Sequence, residues 1–327
     1  MPVTVPGATP TLRGRRRLAD PVFRWFVTIA ATTVLIVLAL MVVTTVHDAW
    51  PVLASEGFFG FLLGDVWDAG YARHEITGTY GAWPFIYGTL VTAMIAIVIA
   101  LPLAIAVALY ITQLAPRRIR NPLSYTVEML AAVPSVIFGM WGMFWFLPVV
   151  LRPYVLEPLE RWFGWFPLFE GPMLGPSYLG AGIVLAIMIL PIMTAVIREV
   201  FAVNPTDAQH AAYALGATRL EVIGNVVLPS SFSGIVGGTM LGLGRAVGET
   251  IAVLMLVGSS QQWDVSLLFA GDTMAAHIAA TFQDASPEAV RGLMAIGVAL
   301  FVVTMSINVG ARLLVWRLGR VTGDSAV

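Results

Sequence analysis

Six long apolar stretches are the feature that most limits what this chain can fold into. Each is long enough to form the helix of about 20 residues that crosses roughly 30 Å of hydrocarbon. They cover residues 23–46, 85–111, 123–151, 178–201, 230–257 and 292–316. Only 11% of the 327 residues are charged, whereas soluble domains carry about 25%. The pattern predicts an all-α integral membrane protein with six transmembrane helices.

The basic residues predict how these helices are oriented. The chain has 18 Lys and Arg residues together, and every one of them is Arg. If the N-terminus is cytoplasmic, thirteen lie on the inner side: Arg13, Arg15, Arg16, Arg17, Arg24, Arg117, Arg118, Arg120, Arg198, Arg219, Arg312, Arg317 and Arg320. Four lie on the outer side: Arg73, Arg152, Arg161 and Arg291. Because cytoplasmic loops are enriched in basic residues, we expect both termini to be cytoplasmic.

The remaining sequence indicates one membrane domain. The first apolar stretch is too long for the apolar region of a signal peptide and lacks a clear cleavage site, so we interpret it as an uncleaved anchor. We expect a cytoplasmic tail over residues 1–22, a single transmembrane domain over 23–317, and a second cytoplasmic tail over 318–327. The loops on the outer side are too short to form separate domains.

Several classes of protein are disfavoured by composition. Without Lys the chain cannot form a Walker A phosphate-binding loop, so we do not expect it to hydrolyse ATP. Without Cys it has no disulfides or thiol nucleophile. Its net charge of −1 argues against nucleic-acid binding. The four His residues have no metal-ligand spacing, and no catalytic constellation is evident, so we predict neither an enzyme nor a metal site.

The segment at about 202–229 predicts two short helices on the cytoplasmic side. Asn204 can cap the first helix, and Pro205 suits its first position. Gly216 provides a stop, because Gly adopts positive φ readily. Thr218 and Glu221 have the spacing of a capping box that starts the second helix. Helices this short need a surface to dock on, so the segment is either an ordinary connector or a docking element for a motor protein.

The fifth apolar stretch contains small residues at helical spacing. Ser230, Gly234, Gly238, Gly242 and Ala246 recur every four residues. A row of this kind lets another helix approach closely. Gly244 and Gly248 form a second such pair, and close packing alone is enough to explain these glycines.

Arg245 and Glu249 lie within the same stretch. A charge near the centre of a bilayer costs roughly 2.5–3.5 kcal/mol on insertion scales, and a spacing of four residues puts both on one helix face. They form either a structural ion pair or part of a solute path. We favour the path, in which Arg245 contacts an anion through its bidentate guanidinium and Glu249 holds the guanidinium in place.

Two sets of motifs carry a resemblance to a known family. The cytoplasmic segment resembles the EAA loop of ABC importer permeases through His210-Ala211-Ala212, Gly216 and Val226-Val227-Leu228-Pro229, with His210 and Val226 replacing the family's Glu and Ile. The string Gly-Gly-Thr-Met-Leu-Gly-Leu-Gly-Arg-Ala-Val-Gly-Glu-Thr at 237–250 resembles phosphate importer permeases of the PstC type. Residues 80–89, 133–139 and 272–280 also match that family.

The resemblance implies a function and a set of partners. It implies a type I ABC importer permease in a bacterial plasma membrane, paired with a PstA-type permease, PstB-type ATPases that bind ATP and Mg, and a PstS-type extracytoplasmic phosphate-binding protein. We assign coupling to the loop residues His210, Ala211, Ala212, Gly216, Thr218 and Glu221. The resemblance points to Arg245 and Glu249 for transport, whereas the spacing of small residues predicts helix packing at Gly234, Gly238, Gly242 and Gly248.

Two alternatives stay open at this point. The same machine could carry another oxyanion, such as sulfate or molybdate. A self-contained secondary transporter or channel could instead use Glu128, Arg245 and Glu249, although we find no internal repeat of the kind that such transporters often have.

Overall fold

The computed structural model of the protein describes residues 19–68, 79–171 and 175–323. The predicted N-terminal tail up to residue 18, Arg73 and Glu75, which were predicted to lie on the outer side, and residues 324–327 lie outside this range. The chain divides into two compact units, Met1–His47 and Asp48–Val327.

The described part of the first unit is a single helix. Helix α1 runs Ala19–Glu56 and therefore ends in the second unit, ten residues beyond the predicted boundary at 46. Thr28, Thr33 and Thr44 each donate a hydroxyl hydrogen bond to the carbonyl one turn earlier. These polar groups are satisfied within the helix, as a lipid environment requires.

Five helical stretches are long and apolar enough to cross a bilayer: Pro21–Glu56, Trp83–Leu114, Ser135–Phe163, Tyr178–Ala202 and Pro287–Leu313. A sixth candidate is a bent pair that joins Arg219–Ser230 to Phe232–Val247 at an angle of 68°. The described residues thus contain up to six spans, which agrees with the predicted all-α membrane fold.

Two helices form the centre of the second unit. Helix α3 (Trp83–Leu109) continues into a π-helical segment, Tyr110–Leu114, and packs along helix α7 (Tyr178–Ala202). Helix α3 buries a row of small side chains: Ala93, Ala96, Ala100, Ala104 and Ala108. Because Ala adds little width, the two helices can approach closely, as membrane helices commonly do.

The elements at the start of α3 surround a smaller core. Helix α2 (Phe58–Leu63) precedes an antiparallel pair of two-residue strands, β1 (Trp67–Asp68) and β2 (Thr79–Tyr80). Trp67 packs edge-on against Tyr80 and Phe85. Helix α13 (Met274–Thr281) and the beginning of helix α14 (Pro287–Gly323) complete this core.

The third predicted span, 123–151, is wrong at both ends. Helix α4 (Arg117–Ala131) ends before Pro134, and the span itself consists of helix α5 (Ser135–Trp141), the π-helical segment Gly142–Leu156 and helix α6 (Glu157–Phe163). Proline disfavours helical geometry in the residue before it, so the chain turns there. The prediction joins the apolar residues on both sides of this turn into one continuous helix.

The fifth predicted span, 230–257, is not continuous either. Helix α11 (Phe232–Val247) is followed by a break at 248–250 and then by helix α12 (Ile251–Val257). Helix α12 lies against helix α5, where a Cβ added at Gly139 would lie only 2.9 Å from Cα of Ala252. The break therefore separates α11, which packs on α7 and α3, from α12, which packs on α5 and α7.

Candidate functional site

The predicted two-helix loop is present. Helix α8 (Thr206–Ala214) is followed by Gly216, whose φ is +89°, and then by helix α9 (Arg219–Val222). The second helix continues through the π-helical segment Ile223–Val227 into helix α10 (Leu228–Ser230). Left-handed φ values disfavour residues with a Cβ, which explains the Gly between the two helices.

A capping box starts the second helix, as predicted. The backbone N–H of Thr218 donates to Glu221 Oε2 at 2.7 Å, and the Thr218 hydroxyl donates to the same oxygen at 2.8 Å. The backbone N–H of Glu221 returns a bond to Thr218 Oγ1. This reciprocal pattern fixes the angle at which the chain leaves Gly216.

The loop presents a mixed surface to its surroundings. Leu215 is 90% exposed, and Leu220 and Tyr213 are also exposed. His210, Ala211, Gly216, Thr218 and Glu221 are exposed, whereas Ala212 is half-buried and packs against the core. The family-matched positions thus lie mostly on the outer surface of the loop, next to apolar side chains that no described residue covers.

Asn204 has a role that the sequence did not indicate. It was predicted to cap helix α8, but Pro205 occupies that position without a side-chain cap. Instead, the Asn204 amide donates to the Val227 carbonyl at 3.2 Å, to Ser230 Oγ at 2.7 Å and to Ser231 Oγ at 3.1 Å. The Ser230 hydroxyl also donates to Asn204 Oδ1 at 3.0 Å. This buried side chain ties the beginning of the loop to its end.

Two arginines link the elements around the two-helix loop to neighbouring helices. Arg219 donates to the carbonyl of Gln113, at the end of the π-helical continuation of α3. Arg198 on α7 contacts Glu128 on α4 at 2.9 Å and Glu199 at 2.7 Å. Glu128 is therefore engaged in an ion pair, which argues against its use as an independent proton carrier.

The glycine row of α11 packs against α7. A Cβ added at Gly234 would lie 2.4 Å from Val200 Cγ1, one at Gly238 would lie 2.9 Å from Ile197 Cγ1, and one at Gly242 would lie 2.5 Å from Met193 Sδ. The absence of side chains at these positions is what permits the two helices to come so close.

The other glycines of this helix lie on a different face. Within the described residues, no heavy atom comes within 4 Å of a Cβ added at Gly237 or Gly244. Gly248, which was predicted to pack against a helix, meets only the carbonyl of Gly244 in its own helix. The structure therefore gives α11 one face filled by α7 and one open face.

Arg245 lies beside this open face, and Glu249 is buried behind it. The side chain of Arg245 is 42% exposed, that of Glu249 is 5% exposed, and Arg245 Nη2 lies 3.6 Å from Glu249 Oε2. That separation is longer than a hydrogen bond, so the guanidinium keeps its donors for other contacts. Glu249 Oε1 accepts a hydrogen bond from the Ala252 amide at 3.3 Å, which holds the carboxylate at the first turn of α12.

The distance between Arg245 and the two-helix loop follows from helix geometry. Fourteen residues separate Ser231, where Asn204 is bonded, from Arg245. At about 1.5 Å per residue, helix α11 places them about 20 Å apart. The structure thus does not bring the residues predicted for coupling and the charge pair together, but it connects them through one helix.

A buried contact between His277 and Asp272 was not predicted from the sequence. His277 Nδ1 lies 3.0 Å from Asp272 Oδ2, and both side chains are 2% exposed. The His277 ring stacks on Phe85 with centroids 4.1 Å apart. The sequence feature that could have predicted this contact is an Asp directly before a helix-capping Thr, with a His five residues after the Asp in a short apolar helix. Across the part of the chain that the structure describes, no three His, Asp or Glu residues could hold a metal ion.

Comparison with known proteins shows the family to which this chain belongs. Residues 100–320 match the family described as the binding-protein-dependent transport system inner membrane component. The phosphate transport system permease protein PstC of Xylella fastidiosa is 40% identical, with 98% of each chain covered. The PstC of Pasteurella multocida is 38% identical over 96% of this chain and 97% of that protein.

A solved structure supports the fold. The chain is similar to a subunit of a bacterial alginate ABC transporter, determined in complex with a pentasaccharide-bound periplasmic protein. The TM-score is 0.59 at 15% identity, with 92% of this chain and 98% of the other covered. Identity over almost the whole length of two curated relatives, together with the matched domain, shows that this chain belongs to the PstC family of phosphate transport system permease proteins.

Proposed function

We propose that this chain is the membrane-spanning permease subunit of an ATP-driven phosphate importer, and that Arg245 contacts the anion as it crosses. The observation that carries the proposal is the half-exposed guanidinium beside the open face of α11, at a break between two apolar helices. Curated PstC relatives of nearly the same length support phosphate as the solute.

The geometry of the pair suits a transient anion contact. A guanidinium stays ionised and presents a fork that matches phosphate oxygens. Glu249 is close enough to lower the cost of placing Arg245 in an apolar region. At 3.6 Å it does not hold the guanidinium by a hydrogen bond. If Glu249 accepted hydrogen bonds from all the donors of Arg245, the guanidinium would bind the solute weakly. If no carboxylate were nearby, the free-energy cost of placing Arg245 in an apolar region would be higher.

The neighbours of Arg245 leave room for the solute. Gly244 and Gly248 place no side chain on this face of the helix. A bulky residue at either position would reduce the space beside the guanidinium. The small-residue pattern on this face therefore fits a path, whereas the pattern at Gly234, Gly238 and Gly242 fits packing.

Energy for transport would come from other chains. The two-helix loop offers exposed Leu215 and Leu220 on either side of a rigid turn at Gly216. We assign this surface to docking of PstB-type ATPase subunits, which would bind ATP and Mg. Helix α11 would then convey loop movement toward Arg245. This chain has no Lys with which to form its own Walker A loop.

The remaining assignments follow from the same family. We propose a bacterial plasma membrane location with both termini in the cytoplasm, a PstA-type permease as the second half of the path, and a PstS-type binding protein at the outer mouth. Delivery by such a protein suits the predicted outer side, where twelve acidic residues would repel a free anion. These are Asp48, Glu56, Asp65, Asp68, Glu75, Glu157, Glu160, Glu170, Asp264, Asp272, Asp284 and Glu288.

The proposal is tested by reconstitution. The chain is inserted into vesicles with its permease partner, the ATPase and the binding protein, and uptake of labelled phosphate is measured while ATP, the ATPase or the binding protein is omitted in turn. We expect uptake to need all three, and sulfate to compete poorly. Uptake by this chain alone, driven by a proton or sodium gradient, would overturn the proposal.

The role of Arg245 has its own control. Arg245→Ala should assemble with its partners and fail to move phosphate. Arg152 provides a matched arginine, because it forms an ion pair of similar length, 3.4 Å to Glu157, and is half-exposed. Arg152→Ala should keep most of the uptake. Equal rates in the two variants would remove Arg245 from the path.

A further inference from the structure

Helix α4 (Arg117–Ala131) carries an exposed face that the proposed function does not use. Arg118, Pro122, Tyr125 and Met129 are all exposed, with Tyr125 at 63% and Met129 at 73%. Their spacing of four, three and four residues places them on one side of the helix. We call this set the exposed face of α4. It consists of one cation followed by apolar side chains.

The cation at the start of this face is available to bind an anion. Within the described residues, no carboxylate pairs with Arg118 or with its neighbour Arg117, and both side chains are exposed. The acid of this helix, Glu128, lies ten residues from Arg118 and pairs with Arg198. Two adjacent guanidinium groups that keep their donors favour a ligand with phosphate or carboxylate oxygens.

The predicted inner side, where α4 begins, is basic as a whole. Against its thirteen Arg residues stand six acids: Asp20, Glu128, Glu199, Asp207, Glu221 and Asp324. Residues 1–18, which lie outside the described range, contain four of these Arg residues and no acid. This excess of positive charge attracts a surface that carries anionic lipid.

The length of the exposed face matches one leaflet of a bilayer. Eleven residues separate Arg118 from Met129, which is about 16 Å at about 1.5 Å per residue. Half of a hydrocarbon core of about 30 Å is about 15 Å. A phosphate headgroup beside Arg118 would therefore place an acyl chain along Pro122, Tyr125 and Met129.

We propose that the exposed face of α4 binds an anionic phospholipid of the cytoplasmic leaflet, with Arg117 and Arg118 at the headgroup and the apolar residues of the face along an acyl chain. The inference rests on the proposed function, from which it takes the inner-side position of α4. The beginning of α4 lies four residues after Gln113, whose carbonyl accepts a hydrogen bond from Arg219 of the two-helix loop. A lipid bound there would steady the surface that holds the loop, so phosphate uptake would depend on anionic lipid.

The first experiment tests whether this face contacts anionic lipid. The chain contains no Cys, so Met129→Cys places one thiol on the exposed face, and Phe144→Cys places one on a membrane span at a side chain of similar exposure, 71%. Each variant is labelled with a fluorophore, assembled with its partner subunits and placed in phosphatidylcholine vesicles. A fixed share of the lipid is brominated on its acyl chains, either as phosphatidylglycerol or as phosphatidylcholine, and quenching of the fluorophore is measured.

We expect phosphatidylglycerol to be preferred over phosphatidylcholine at position 129, by about fivefold for each Arg, and the two lipids to quench equally at position 144. Arg117→Gln together with Arg118→Gln should remove the preference. Arg152→Gln together with Arg161→Gln removes two exposed arginines from the predicted outer side and should leave the preference unchanged. Equal quenching by the two lipids at position 129, or quenching by neither because another chain covers the face, would overturn the inference.

The second experiment measures the effect of the lipid on transport. Initial rates of ATP-driven phosphate uptake are compared in vesicles with and without phosphatidylglycerol, for the wild-type complex and for the two double variants. We expect anionic lipid to raise the wild-type rate by about threefold or more, and to raise the rate of the outer-side variant equally. The variant that lacks Arg117 and Arg118 should show no such rise, and a rise equal to that of the wild type would overturn the inference.

The outcomes separate the two proposals. Uptake that needs neither ATP nor the binding protein would overturn the proposed function, while the quenching ratios would still report whether the exposed face of α4 binds anionic lipid. Uptake that needs both but is the same at every lipid composition would leave the proposed function intact and overturn the dependence of transport on this lipid.

Discussion

Replacing Gly234 with Ala should destabilise the contact between helices α7 and α11. The added Cβ would lie 2.4, 2.5 and 2.9 Å from three side-chain atoms of Val200. Val is branched at Cβ and has little rotamer freedom in a helix, so the side chain cannot turn away. The two helices would have to separate by several tenths of an ångström or more along the whole glycine row.

The size of the effect can be estimated from two opposing terms. Inserting a methyl group into a well-packed core costs about 1–3 kcal/mol, whereas Ala in place of Gly favours a helix by about 0.5–1 kcal/mol. Gly237→Ala in the same helix has only the second term, because no described atom lies within 4 Å of its added Cβ. The difference between the two variants isolates packing, at about 1–3 kcal/mol, or roughly fivefold to more than a hundredfold in the unfolding equilibrium.

The assay is reversible unfolding of the purified chain in mixed micelles, with the detergent composition varied and helicity followed by circular dichroism. Gly234→Ala should unfold at a lower fraction of denaturing detergent than the wild type, and Gly237→Ala at an equal or higher fraction. Gly242→Ala should fall between them, because Met193 is flexible enough to yield. If Gly237→Ala were as destabilising as Gly234→Ala, the assignment of the packed face would be wrong.

Three further changes address the loop and the charge pair. Gly216→Ala should destabilise the folded loop by about 1 kcal/mol through its φ of +89° alone, since its added Cβ meets nothing in the described chain. The amount of ATPase that copurifies with the chain should fall, and Gly216→Asn should retain more of it than Gly216→Ala does. Asn204→Ala removes the bonds to Ser230 and Ser231 and should lower the phosphate moved per ATP hydrolysed, as measured in vesicles, while ATP hydrolysis continues. Arg245→Lys keeps the charge but loses the fork, so its uptake should lie between those of the wild type and Arg245→Ala.

The sequence was sufficient to predict the helices but not where they break. Hydropathy averages over a window of residues, so the turn at Pro134 and the break at 248–250 were absorbed into apolar stretches on either side. The proline could have been recognised as a boundary. The second break contains no proline. There Glu249 accepts a hydrogen bond from the Ala252 amide, a contact that hydropathy does not register.

Local motifs were predicted better than long-range contacts. The capping box at Thr218 and Glu221 is present because it depends on residues three apart. The predicted role of Asn204 as a helix cap is wrong, because the same side chain can either cap the helix or form hydrogen bonds to distant residues. Its observed partners lie 26 and 27 residues away along the chain. The His277–Asp272 pair was overlooked for a related reason: burial, which makes the pair significant, comes from Trp67 and Phe85 in a distant part of the chain.

The position of the break explains why the charge pair is placed where it is. Arg245 belongs to the last turn of α11, while Glu249 is held to the first turn of α12 by the Ala252 amide. Helix α11 packs on α7 through Gly234 and Gly242, whereas α12 packs against both α5 and α7. Any change in the angle between α11 and α12 must therefore alter the separation of Arg245 and Glu249. A continuous helix would hold the same two side chains one turn apart at a constant distance, and the pair could not respond to movement that begins at the loop.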